Sequence, residues 1–254
     1  MFEQKNTRPW YRSPIVMIVG VVVIVLGAVL AFLVFFGSGN NEEHYSALEQ
    51  HRQQQAAQAP TAAPAATATP VAQASPDASP AQPGEPTAPS GRNYWTTFRG
   101  PKRDGNYALT AVSTNWPANG LSPIWKQPIG LGFASFAIAD GRAFTIEQRR
   151  AQEVVAAYDV ATGRELWTQG WNAEFYESNG AGPRATPTWD QGRVYALGAT
   201  GELRCLDANN GSVIWGKNIL TENSAENLPW AMAGSPLIVD DKVIVLPGGT
   251  GGKS

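Results

Sequence analysis

Two eleven-residue stretches, Ala157–Trp167 (AYDVATGRELW) and Cys205–Trp215 (CLDANNGSVIW), lie 48 residues apart and share Asp, Gly and Trp at the same three places. A repeat of that period, made of short β-type runs, is expected to fold as a propeller or solenoid, whose units bury one another's faces. Asp159 and Asp207 are of a type that ties down the turn ahead of it by hydrogen-bonding its backbone. Gly163 and Gly211 can take the positive φ that ends such a turn. Trp167 and Trp215 then open the return strands, and each indole needs a deep packing site.

A second hairpin interleaves with the first. It reads SFAIADGRAFTI over Ser135–Ile146, TPTWDQGRVYAL over Thr186–Leu197 and SPLIVDDKVIVL over Ser235–Leu246. Asp140, Asp190 and Asp240 are expected at its turns, in structural roles because they recur. The two hairpins together supply four strands per period, the make-up of a propeller blade. The fold class is therefore all-β, a partial β-propeller of four-stranded antiparallel blades with about two and a half present. Trp95 and Phe98 are expected to anchor its start, and a strand is expected around Ile124–Lys126. A propeller needs at least four blades to close, so the chain is expected to be the opening part of a longer protein.

The propeller is expected over 92–254, and the residues before it are of another kind. Met1–Ser13 is short and basic, and Ile15–Phe36 is a run of 22 residues without a charge. As a helix that run spans about 33 Å, enough for the hydrocarbon core of a bilayer. It is too long for a signal peptide and lacks a small-x-small cleavage site. The expectation is a cytoplasmic tail over 1–13 and one transmembrane anchor over 14–36. The basic flank puts the N-terminus inside and the remainder on the extracytoplasmic side. Residues 37–91 are expected to be a polar juxtamembrane segment, with a short helix over 40–58, followed by a disordered Pro/Ala-rich spacer. Extended, that spacer reaches up to about 100 Å.

Charge and residue types exclude several chemistries. A net charge of −2 gives no reason to expect nucleic acid. The single Cys205 excludes an internal disulfide and is expected to be a small buried strand residue. His44 and His51 both precede the repeats, so His-based triads and His metal ligands are absent from the repeats. Gly248–Ser254 lacks the first Gly of a phosphate-binding loop, since Pro247 stands there. No catalytic set and no metal site is expected. Function is expected where the repeat is interrupted, at Trp171–Arg184 (WNAEFYESNGAGPR) and Thr221–Trp230 (TENSAENLPW). Glu174, Glu177, Asn179 and Arg184 bring carboxylate, amide and guanidinium groups to the first of these. Such oxygen-rich groups suit Ca²⁺, and the guanidinium suits an anion, but the simpler expectation is solvated loop residues joined by a salt bridge.

At these repeats the sequence resembles the quinoprotein-type propellers, whose repeat is A-x-D-x-x-T-G-x-x-x-W. Ala157, Asp159, Thr162, Gly163 and Trp167 match every fixed position. The second copy keeps Asp207, Gly211 and Trp215 but has Cys205 and Asn210 for Ala and Thr. The resemblance covers about 95–254. It implies indoles stacked between neighbouring blades, and two kinds of function. One is a protein-binding or envelope-assembly scaffold, held at a bacterial inner membrane through 15–36 with its propeller in the periplasm. The other is a dehydrogenase of alcohols or sugars using pyrroloquinoline quinone (PQQ) and Ca²⁺, with Glu177, Asn179 and Arg184 as cofactor-binding residues. Enzymes of the family carry a vicinal disulfide that one cysteine cannot form, and the chain lacks the lipobox cysteine of the assembly lipoprotein. The scaffold reading is the one favoured.

Overall fold

The computed structural model describes residues 22, 25, 26, 41–57, 94–107 and 111–249. The expected anchor over 14–36 lies almost wholly outside them. Val22, Val25 and Leu26 are helical, and among the described residues no helix is long and apolar enough to cross a membrane. The spacer and the last residues of the Gly-rich tail also lie outside. Residues 41–57 form a helix, α1, rich in the helix formers Glu, Gln and Ala. The chain divides into two compact units, 1–50 and 51–254.

The second unit is built on antiparallel sheets in the order the repeats predict. The first sheet runs β1 (Ala137–Ala139), β2 (Arg142–Arg149), β3 (Gln152–Asp159) and β4 (Glu165–Asn172). A small hairpin, β5 (Tyr176–Glu177) and β6 (Gly180–Ala181), interrupts the passage to the second sheet. That sheet comprises β7 (Thr188–Asp190), β8 (Arg193–Leu197), β9 (Glu202–Asp207) and β10 (Val213–Asn218). A single helical turn, α2 (Ile219–Glu222), capped by the Asn218 side chain, precedes the hairpin β11 (Leu237–Val239) and β12 (Lys242–Ile244). Each strand pairs with its sequence neighbour, as blades require.

The two sheets pack face to face around one core. Phe144, Ile146, Val155, Ala157 and Trp171 of the first meet Val194, Ala196, Leu206 and Ala208 of the second. Each fully buried side chain of Phe or Leu size contributes about 1.5–3 kcal/mol. A further core joins Leu197 and Leu203 to Ile219, Leu220 and Met232. Cys205 is buried on β9, as expected, and burial raises its thiol pKa.

The repeated motif explains how the sheets interlock. Asp159 Oδ1 accepts from the Thr162 amide at 2.8 Å and Thr162 Oγ1 at 2.7 Å. Asp207 Oδ1 likewise accepts from the Asn209 amide at 2.8 Å. The turns end at Gly163 (φ +72°) and Gly211 (φ +75°), and an indole from the preceding stretch of chain lies on each. A Cβ on Gly163 would stand 2.5 Å from Trp125 Cδ2, and one on Gly211 would stand 2.5 Å from Trp167 Cε3. Trp125 Nε1 donates to Val160 O at 2.8 Å, and Trp167 Nε1 donates to Ala208 O at 3.1 Å. The register slips between Ala157 and Tyr158, and again between Val213 and Trp215. Leu166 and Ile214 are the extra residues. Such bulges re-aim the side chains beside them, here the tryptophans.

Three expectations need correction. Ile124–Lys126 forms no strand, and Ile124 is 91% exposed. No neighbouring strand pairs with it among the described residues, yet the Trp125 indole still finds its seat. Asp190 does not occupy a turn: it closes β7, paired with Arg193, and Gln191 and Gly192 take the positive φ. Phe98 is no buried anchor but half exposed. Trp95 does anchor the start, exchanging backbone hydrogen bonds with Ile138 of β1 at 2.8 and 2.7 Å. The Thr96 carbonyl accepts from the Trp189 amide of β7 at 2.7 Å, and Arg103 reaches the Ser235 carbonyl at 3.1 Å. Residues 94–103 thus bond to β1, to β7 and to the residues just before β11.

Candidate functional site

The interruption between the sheets brings Glu177, Asn179 and Arg184 together. The β5–β6 hairpin positions them, and Gly180 (φ +142°) completes its tip, where a Cβ would strike the Phe133 ring at 2.6 Å. Arg184 Nη2 donates to Glu177 Oε1 at 2.9 Å and to Gly180 O at 3.1 Å, and Nη1 donates to Gly182 O. Glu177 Oε2 accepts from the Asn179 amide at 2.9 Å and Nδ2 at 3.1 Å. The Asn179 amide, aided by Arg184 and Ser178, holds the Glu177 carboxyl below the usual carboxylate range. The guanidinium carbon lies 5.2 Å from the Phe133 ring centre and 4.7 Å from that of Phe175.

The three side chains therefore use their polar groups on one another. A Ca²⁺ ion asks for six to eight oxygens, whereas Arg184 already sits on one Glu177 oxygen and Asn179 donors on the other. Glu174 is exposed. Among the described residues no group of three or more His, Cys, Asp or Glu is placed to hold a metal ion. As arranged, the three side chains bond to one another. They form a brace. On the outside of that brace, Phe133 is 58% exposed and Tyr176 is 51% exposed.

A second polar cluster is one that sequence reading missed. On the face of the first sheet away from the second, Arg149 donates to Glu147 Oε1, to Tyr158 OH at 3.1 Å and to Glu165 Oε2 at 2.6 Å. Glu147 Oε2 also accepts from the Gly130 amide at 2.5 Å. Burial works against the Arg149 charge, but Glu147, Glu165 and Tyr158 outweigh it and raise its pKa. Burial, then the Glu147 charge, raise the Tyr158 pKa. The strand registers give the counterparts of these residues in the second sheet. Arg142 faces Asp159 as Arg193 faces Asp207, and Tyr158 faces Glu165 as Leu206 faces Val213. Leu206 and Val213 thus stand where Tyr158 and Glu165 would, and Gly198 follows Leu197 of β8 as Glu147 follows Ile146 of β2. Comparing the two periods residue by residue would have found this.

The reason for Gly198 lies in a third polar residue. Glu153, fully buried on β3, points across to the second sheet, accepting from Trp171 Nε1 at 3.0 Å and the Ala199 amide at 2.7 Å. A Cβ on Gly198 would meet its Oε2 at 2.0 Å. Burial raises the Glu153 pKa above its ordinary 4.5, against the pull of the two donors. The folded state holds this proton more tightly than the unfolded chain. Its contribution to stability is therefore fully present below about pH 4.5 and is lost as pH rises through the folded pKa. Glu153→Gln is expected to flatten that part of the profile, measured by urea unfolding from about pH 4 to about pH 8.

Comparisons with known proteins agree with the repeats. Residues 150–252 match the family described as outer membrane protein assembly factor BamB. A 1-butanol dehydrogenase (cytochrome c) of Thauera butanivorans is 28% identical over 101 residues, covering 38% of this chain and 14% of that protein. The quinohemoprotein alcohol dehydrogenase of Comamonas testosteroni superposes with a TM-score of 0.33 at 23% identity, over 44% of this chain and 16% of that one. BamB from Moraxella catarrhalis gives a TM-score of 0.25 at 16% identity, over 44% of this chain and 40% of that one. This chain covers less than half the length of each of these relatives.

Proposed function

We propose that this chain, whose residues 150–252 match the family described as outer membrane protein assembly factor BamB, is a membrane-anchored scaffold that binds protein partners in the bacterial envelope. The observation that carries the reading is the braced β5–β6 loop. Arg184 of that brace lies over the exposed Phe133 and over Phe175, and β5 carries the exposed Tyr176. Aromatic and Arg side chains on a rigid support are the groups that dominate protein–protein binding energy. The uncharged run over 15–36 would hold the protein in the inner membrane, with the sheets on the periplasmic side.

The test uses the natural full-length protein. It is expected to stay with membranes through carbonate washing and to be released on deletion of 15–36. Detergent-solubilised protein is expected to bring down a stoichiometric envelope partner. Phe133→Ser with Tyr176→Ser should cut that recovery by about tenfold or more while leaving the circular dichroism spectrum unchanged. No partner, or a partner indifferent to both substitutions, sinks the scaffold reading. Cofactor absorbance and dye reduction on addition of PQQ and Ca²⁺ would replace it with the dehydrogenase reading.

A further inference from the structure

We propose that the last turns of α1, residues 51–57, are a docking strap for the charged face of the first sheet. These residues belong to the same compact unit as the sheets. Arg52 Nε and Nη2 reach Glu165 Oε1 at 2.8 and 2.7 Å. Gln55 Nε2 donates to Gln127 Oε1 at 3.0 Å, while Gln55 Oε1 accepts from the Glu165 amide at 3.4 Å. Arg52, Gln55 and Ala56 fall at i, i+3 and i+4, so one helical face carries the contact. Together with Arg164 and Glu165 they line a cavity of about 350 Å³.

Charge gives the specificity. Glu147 and Glu165 both bond the guanidinium of Arg149, and Arg52 adds a second guanidinium on Glu165. The second sheet carries Leu206 and Val213 where the first has Tyr158 and Glu165, so Arg52 would find no carboxylate at the place of Glu165 there. The strap therefore recognises one sheet among repeats of similar backbone.

Hydrogen exchange of the full chain, read by mass spectrometry, tests this. Wild-type amides over 51–57 are expected to be protected. R52E should speed their exchange by about tenfold, and Q55A should do so to a smaller degree. R52K should keep most of the protection, and the amides of β2 and β3 should be unchanged throughout. Arg52 is 36% exposed, so these substitutions leave the sheet core intact. Unprotected wild-type amides over 51–57, or protection indifferent to R52E, would overturn the strap.

Discussion

Arg149→Met is expected to lower the free energy of unfolding by about 3–5 kcal/mol, the cost of stranding a buried charge. The side chain of Glu147 is 2% exposed and that of Glu165 is 12% exposed, and Arg149 is the cation that both share. Without it, Glu147 keeps the Gly130 amide and the Tyr158 hydroxyl, neither of which carries positive charge. Adding Glu147→Gln should recover half or more of the loss, because a neutral amide costs far less to bury than a carboxylate. Urea unfolding of the wild type, both single variants and the double variant closes the cycle. A loss below about 1 kcal/mol for Arg149→Met would mean that the sheet does not depend on this cluster.

Gly211→Ala should cost about 2–5 kcal/mol, against about 1–2 kcal/mol for Gly192→Ala in the same sheet. Both glycines have positive φ, +75° and +77°, so the backbone penalty is shared. They differ in surroundings. A Cβ at Gly192 meets nothing within 4 Å, whereas one at Gly211 would press into the Trp167 ring. The difference between the two losses therefore isolates the indole seat. Equal losses would show that the tryptophan yields freely and that the interlock contributes little.

The repeat could be read from sequence because its parts lie within eleven residues, where turn chemistry and a single Trp leave few alternatives. The Glu177–Arg184 brace was legible for a related reason, since its partners are seven residues apart in one loop. The Arg149 cluster was not. Its members come from three strands, and their meeting depends on registers that hydrophobic pattern alone does not fix. The bulges at Leu166 and Ile214 were invisible too, although they aim the very indoles that the motif advertises. Trp125 shows the converse. Its expected strand is absent, yet its ring is seated as the repeat required, because the Gly163 turn and the Val160 carbonyl define the site.

Each indole in this arrangement reaches forward onto a turn that comes later in the chain: Trp125 onto Gly163, Trp167 onto Gly211. The two flanks of a sheet are consequently unlike, one bearing the plug and the other the socket. Two copies meeting through these surfaces would have to line up head to tail, and a two-fold, like-on-like dimer cannot use them.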